Sequence, residues 1–222
     1  YCIASTSELL DAKKRDWSWE TIEALGLPKH IFGEIVMPGT VRGELRKDIA
    51  EETGLGDVKV IAVGSHDTAS AVAAVPAIEG DGPVAFLSSG TWSLLGLELP
   101  EPILTEEARK AEFTNEGGVG GRIRFLQNIT GLWIMQRLMA EWKERGEEQT
   151  FAQILPAAEQ ANISSIIPVA DAAFMNPSSM EQAICDYCKQ SNQQVPQTKG
   201  ELVRTVLLSL ATKYREAING IS

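Results

Sequence analysis

Apolar and polar positions along the chain alternate between a strand period and a helix period. Residues 58–63 form a short β-branched run bounded by polar residues, which predicts a strand. The Gly64-Ser65-His66-Asp67-Thr68 cluster then leads into an Ala-rich, helix-forming stretch, so the pattern puts Asp67 at a strand-to-helix junction. Residues 83–87 and 92–97 read as two strands joined by the small turn Ser88-Ser89-Gly90-Thr91. Residues 111–115 and 122–125 continue the strand pattern. The 3.6-residue period dominates residues 128–144, where Ile129, Leu132, Trp133, Leu138, Met139 and Trp142 recur on one stripe. Residues 151–161 and 178–190 are further helices. The last helix covers residues 201–219, with Leu202, Val206, Leu210 and Tyr214 on one face, Thr198 as cap and Asn219-Gly220 as stop.

Ahead of residue 58 the signals are local. Ser18 is placed to cap a short helix that Gly26-Leu27-Pro28 ends, Met37-Pro38-Gly39-Thr40 is a turn, and residues 45–53 form a charged amphipathic helix ending at Gly54. Trp17 and Trp19 are expected to pack rather than to offer a stacking platform. A domain boundary is expected near Gly56-Asp57, dividing the chain into 1–57 and 58–222. Pro100 and Pro102 make residues 99–105 a loop or edge segment. The run from Glu116 to Gly121 holds four glycines but gives neither G-x-G-x-x-G nor a following G-K-[ST], and reads as a flexible hairpin tip. Cys185 and Cys188, a lone C-x-x-C without nearby histidines, read as two ordinary helical cysteines.

Composition narrows the class. A chain of 222 residues with 44% hydrophobic content can bury a sizeable core. The net charge of −10 argues against nucleic acid or an anionic membrane as main partner. No apolar run approaches the ~20 residues of a membrane span, and three cysteines suit a reducing compartment, so a cytoplasmic protein is expected. The start at Tyr1 without methionine and the stop at Ser222 read as a piece of a longer protein.

The chemistry centres on Asp67, which on its residues alone is a helix cap, a metal ligand or a general base, with capping the commonest of the three. His66 alone reads as structural. A small hydroxyl-bearing turn at Ser88-Ser89-Gly90-Thr91 leaves N–H groups open to an anion, and a carboxylate with such a turn outlines a phosphoryl-transfer site. Gln136 lies on the apolar stripe of its helix and is expected to find a buried hydrogen-bond partner there.

The segments SHDTASAV (65–72) and LSSGTWSLLG (87–96) resemble the FGGY family of carbohydrate kinases, and the likeness extends over nearly the whole chain. The resemblance implies an α/β fold of the ribonuclease-H-like, actin-type ATPase kind, a mixed sheet with flanking helices forming one incomplete lobe of a two-lobed kinase. It implies ATP and Mg²⁺ as cofactors and a small sugar as substrate. Asp67 would be the general base, His66, Thr68 and Asn128 sugar contacts, and Thr91 and Gln136 ATP contacts. Within the family the likeness is greatest to the branch acting on L-rhamnulose; xylulose- or fuculose-type kinases and a non-catalytic sugar-binding protein are the alternatives. The family's amino-terminal phosphate loop and adenine segment have no counterpart in these residues, so the isolated chain is expected to be inactive.

Overall fold

The computed structural model describes residues 1–76 and 84–221. In chain order its regular elements are β1 (Leu10–Asp11), β2 (Asp16–Trp17), α1 (Trp19–Ala24), β3 (Val41–Glu44), α2 (Lys47–Thr53), β4 (Lys59–Ile61), α3 (Asp67–Ala73), β5 (Ala85–Ser89), β6 (Trp92–Leu99), α4 (Glu106–Lys110), β7 (Phe113–Gly117), β8 (Ile123–Thr130), α5 (Trp133–Glu144), α6 (Phe151–Gln160), α7 (Met180–Gln190) and α8 (Lys199–Gly220). The strands form two antiparallel pairs, β1-β2 and β3-β4, and one four-stranded sheet in the order β5-β6-β8-β7. The chain divides into two compact units, Tyr1–Phe86 with Gly96–Leu126, and Leu87–Leu95 with Gln127–Ser222.

The first unit has a small core. Tyr1, Cys2 and Ala69 are buried together, with Leu10, Ile35 and Met37 packed against them. Trp17 and Trp19 both meet Phe32 edge-on, at ring separations of 5.0 and 6.1 Å, and the Trp17 indole donates to the Gly33 carbonyl at 2.7 Å. The two tryptophans are packing residues, as expected. Gly54 ends α2 at φ 68°, a left-handed conformation that favours glycine. The β3-β4 ribbon is exposed along its whole length, so the run at 58–63 is a short edge element, with only 59–61 in register.

The second unit is built on its helices. Leu138, Trp142, Phe174, Ile184, Val203 and Val206 are fully buried in one cluster. At about 1.5–3 kcal/mol for each large apolar side chain removed from water, this cluster dominates the unit's stability. Gly200 lets α8 approach α6, because a Cβ there would lie 2.6 Å from the Ala157 carbonyl. The cap expected at Thr198 is present as a reciprocal box with Glu201. Helices α5 and α7 exchange glutamates: the Glu141 carboxylate accepts the Met180 N–H at 2.6 Å and the Ser179 hydroxyl at 3.1 Å, while Glu181 accepts the Trp142 indole at 2.9 Å and Arg145 at 2.7 Å.

Several boundaries differ from the sequence reading. Residues 128–130 complete β8, and the helix starts only at Trp133, because the sheet takes up backbone that the apolar period alone would give to a helix. Ser88 and Ser89 belong to β5, so the turn shrinks to Gly90-Thr91. The strand expected at 83–87 starts at Ala85, and Pro83 lies outside the described residues. A five-residue helix, α4, occupies 106–110, with Thr105 accepting the Ala108 N–H. The glycine-rich run is no loose tip: Glu116 and Gly117 are buried at the end of β7, and a Cβ on Gly117 would strike the Tyr1 ring. Cys185 and Cys188 are free thiols on α7, both pushed up in pKa by burial.

Candidate active site

In the first unit the site grows from the loop ahead of α3. Gly64 is needed there, because a Cβ would meet Ser70 Oγ and Val119 Cγ2, each at 2.9 Å. Its carbonyl instead accepts the Ser70 hydroxyl at 2.6 Å, which folds the loop back on the helix. Ser65 Oγ accepts the Ile3 N–H at 3.2 Å, leaving His66 in the capping position without a side-chain cap. Asp67 is therefore the first helical residue, and the capping role is not the one it plays. Its Oδ1 accepts the N–H of Thr68 at 2.6 Å and faces the Thr68 hydroxyl at 3.4 Å, while its side chain is 95% exposed. An N–H at the start of α3 is thus used by Asp67 itself. His66 Nε2 stands 3.6 Å from the same Oδ1.

Behind His66 lies a buried ion pair that the sequence reading missed. Arg124 of β8 and Glu116 of β7 meet at 2.9 Å with side chains 0% and 10% exposed. The guanidinium also donates from Nε to the Gly117 carbonyl at 3.3 Å, and Nη2 reaches His66 Nδ1 at 3.3 Å. Removing one partner of such a buried pair costs about 3–5 kcal/mol, because the other charge is stranded. The only sequence signal for Arg124 is a charge at an otherwise apolar strand position, and Glu116 was hidden in a run of glycines.

The second unit carries the other candidates. The Gly90-Thr91 turn is latched to the start of α5: Gly90 O accepts Leu132 N–H at 2.9 Å, and Thr91 O accepts the N–H groups of Gly131 and Trp133 at 3.1 and 3.2 Å. Gly131 allows this, since a Cβ would lie 2.5 Å from both Gly90 O and Ser93 Oγ. The latch brings Thr91 and Gln136 into contact. Gln136 is exposed rather than buried, and its partner is the Thr91 hydroxyl. Asn128 projects from the end of β8 with an exposed side chain. Ser93, one step inside the turn, is buried and shares a 2.7 Å hydrogen bond with the Tyr214 hydroxyl of α8.

An exposed hydroxyl and amide fit hydrogen bonding to a nucleotide. No three His, Cys, Asp or Glu side chains among the described residues group as a metal cage. Among the described residues no helix is long and apolar enough to cross a membrane.

Comparison with known proteins covers both units. Residues 85–222 match the family model for the C-terminal domain of the FGGY family of carbohydrate kinases, and residues 1–74 that for its N-terminal domain. A rhamnulokinase of Bacteroides thetaiotaomicron is 42% identical over 222 residues, all of this chain and 44% of the relative. One from Oceanobacillus iheyensis is 41% identical over 221 residues, 46% of its length. The chain thus spans less than half the length of the curated relatives it matches. Among solved structures, a xylulose kinase of Lactobacillus acidophilus superposes with a TM-score of 0.65 at 18% identity, over 99% of this chain and 43% of that one. A gluconate kinase of the same organism gives 0.66 at 16%, with the same coverage. These likenesses give the expected fold, mixed α/β with flanking helices.

Proposed function

Because the chain belongs to the FGGY family of carbohydrate kinases, we propose that it supplies part of an enzyme that transfers the γ-phosphoryl group of ATP to a ketose, L-rhamnulose giving L-rhamnulose 1-phosphate. The supporting observation is Asp67: an exposed carboxylate, fixed through one oxygen by the Thr68 N–H, beside a histidine. The attacking sugar hydroxyl forms the new O–P bond, its proton passes to Asp67, and the bond from phosphorus to the ADP oxygen breaks. His66, Thr68 and Asn128 serve the sugar, and Thr91 and Gln136 the nucleotide. Bound Mg²⁺ neutralises phosphate charge. In this reading residues 1–57 are the tail of the family's first domain and 58–222 part of its second, and the enzyme works in the cytoplasm.

The choice of sugar is supported by the two rhamnulokinase relatives at 41–42% identity. It is tested by assaying a kinase of the relatives' full length that carries this chain against a panel of ketoses with ATP. L-Rhamnulose is expected to give the highest kcat/KM. Equal use of xylulose moves the protein to another branch, and no ATP-dependent phosphorylation of any ketose identifies a non-catalytic sugar-binding protein.

A further inference from the structure

Two side chains able to take a proton stand together at the start of α3, His66 and Asp67, and a third residue divides the work between them. We propose that Arg124, held by Glu116, is a positioning residue that fixes His66 as the tautomer protonated on Nε2, so that Asp67 and not His66 accepts the substrate proton. The inference rests on the phosphoryl-transfer reading of Asp67 given above.

Hydrogen-bond inventory carries it. A guanidinium has only donors, and its Nη2 carries two hydrogens. Arg124 Nη2 has two partners at bonding distance, Glu116 Oε2 at 2.9 Å and His66 Nδ1 at 3.3 Å. Glu116 accepts one hydrogen, so Nδ1 must present its lone pair to the other. The single proton of a neutral imidazole then sits on Nε2, the nitrogen 3.6 Å from Asp67 Oδ1. A protonated Nε2 can donate to the carboxylate or to a hydroxyl oxygen beside it, and has no lone pair left to act as base.

The supporting shell is buried and hydrogen-bonded. The Arg124 side chain is fully buried, and its Nε is tied to the carbonyl of Gly117, itself wedged against Tyr1. Buried Nη1 has no hydrogen-bond partner, so the Gly117 carbonyl, the ion pair and the histidine contact set the direction of the fork. The charged or titratable groups facing this cluster are Asp67 from α3, Glu116 from β7, and the Cys2 thiol, which feels the Arg124 charge.

Nitrogen-15 NMR on the 222-residue chain tests the assignment, because long-range proton correlations identify the protonated ring nitrogen. The chain has two histidines, and His30→Gln leaves His66 alone in the spectrum. The expected spectrum has His66 in one form, with hydrogen on Nε2. The double variant Arg124→Met/Glu116→Gln removes both charges without stranding either and should release the ring to a mixture of tautomers; Arg124→Lys, which keeps a donor-only cation, should retain the Nε2–H form. In the full-length kinase the double variant should lower kcat on the order of 10- to 100-fold, the effect of misplacing a reacting group, with the ATP KM within about twofold. A proton on Nδ1 in the unmodified chain overturns the proposal whether or not the variants fold, as does a double variant with unchanged ring and turnover. Near-normal turnover in Asp67→Asn would instead sink the phosphoryl-transfer reading and leave the tautomer result standing.

Discussion

Thr91 and Gln136 satisfy each other across 45 positions of sequence: the Thr91 hydroxyl lies 3.2 Å from Gln136 Oε1, to which it donates, and 3.1 Å from Gln136 Nε2, from which it accepts. Both are exposed, so water competes for the pair and its net contribution to folding is at most ~1 kcal/mol. Its value lies in holding a hydroxyl and an amide in one place.

Gln136→Ala in the full-length kinase should therefore leave thermal stability nearly unchanged while raising the apparent KM for ATP several-fold and that for the sugar little. Thr91→Ala should do the same. Together the two should cost less than the sum of the separate effects, because each single change already breaks the shared pair. A double-mutant cycle on ATP affinity checks this; strict additivity, or an effect confined to the sugar, removes both residues from the nucleotide side.

Asp67→Asn keeps the oxygen that accepts the Thr68 N–H and changes a side chain that is 95% exposed, so the melting temperature should hold. Loss of the proton acceptor should lower kcat by ~10²–10⁴-fold. Steady-state kinetics beside a melting curve separate the two. Turnover within a few-fold of the parent would show that another group takes the proton.

Asn128→Ala trims an exposed amide at the end of β8 and should leave the fold intact. If that amide binds the ketose, the sugar KM rises on the order of tenfold, the effect of ~1.4 kcal/mol lost from one polar contact, while the ATP KM stays put. Initial rates with each substrate varied in turn give the answer, and a change confined to ATP reassigns Asn128.

The clasp between α5 and α7 makes an acid-stability prediction. Desolvation raises the pKa of Glu181, but hydrogen bonds from Arg145 and Trp142 with the charges of Arg145 and Lys199 outweigh it, and the net value is lowered. A folded-state value below the unfolded one means stabilisation that is complete above the ordinary glutamate value of about 4.3 and drains away as pH falls through the lower folded value. Glu181→Gln should therefore be less stable than the parent at neutral pH, and the two should converge in acid. Urea midpoints from neutral pH downwards test the sign; a constant gap would point to packing rather than charge.

What could be read from the sequence was what is local. The cap at Thr198 and the stop of α2 at Gly54 rest on each residue's own chemistry, so both were legible, while the return bond from Glu201 was not foreseen. The catalytic candidate Asp67 and the nucleotide candidate Thr91 stand at the start of a helix and in a turn, as their neighbours indicated. What failed depends on distant partners. Ile129 fits a helix stripe and a strand face equally well, and only pairing within the sheet decides for the strand. Gln136 was expected inward because its period put it on the apolar stripe, yet an amide finds its partner at a turn 45 residues away. Glu116 gave no signal and Arg124 only a charge out of pattern, since neither strand alone says that the other's charge lies opposite.

Gly131 has no side chain to offer a ligand, yet its lack of one is what lets the Gly90-Thr91 turn close on α5. With Thr91 and Gln136 on the nucleotide side as proposed, a screen for variants with weakened nucleotide affinity would return this position alongside them, and a map of direct contacts would leave it out. Any replacement wedges the turn from the helix and parts the hydroxyl from the amide, so the phenotype of a lost contact would arise from a residue that never makes one.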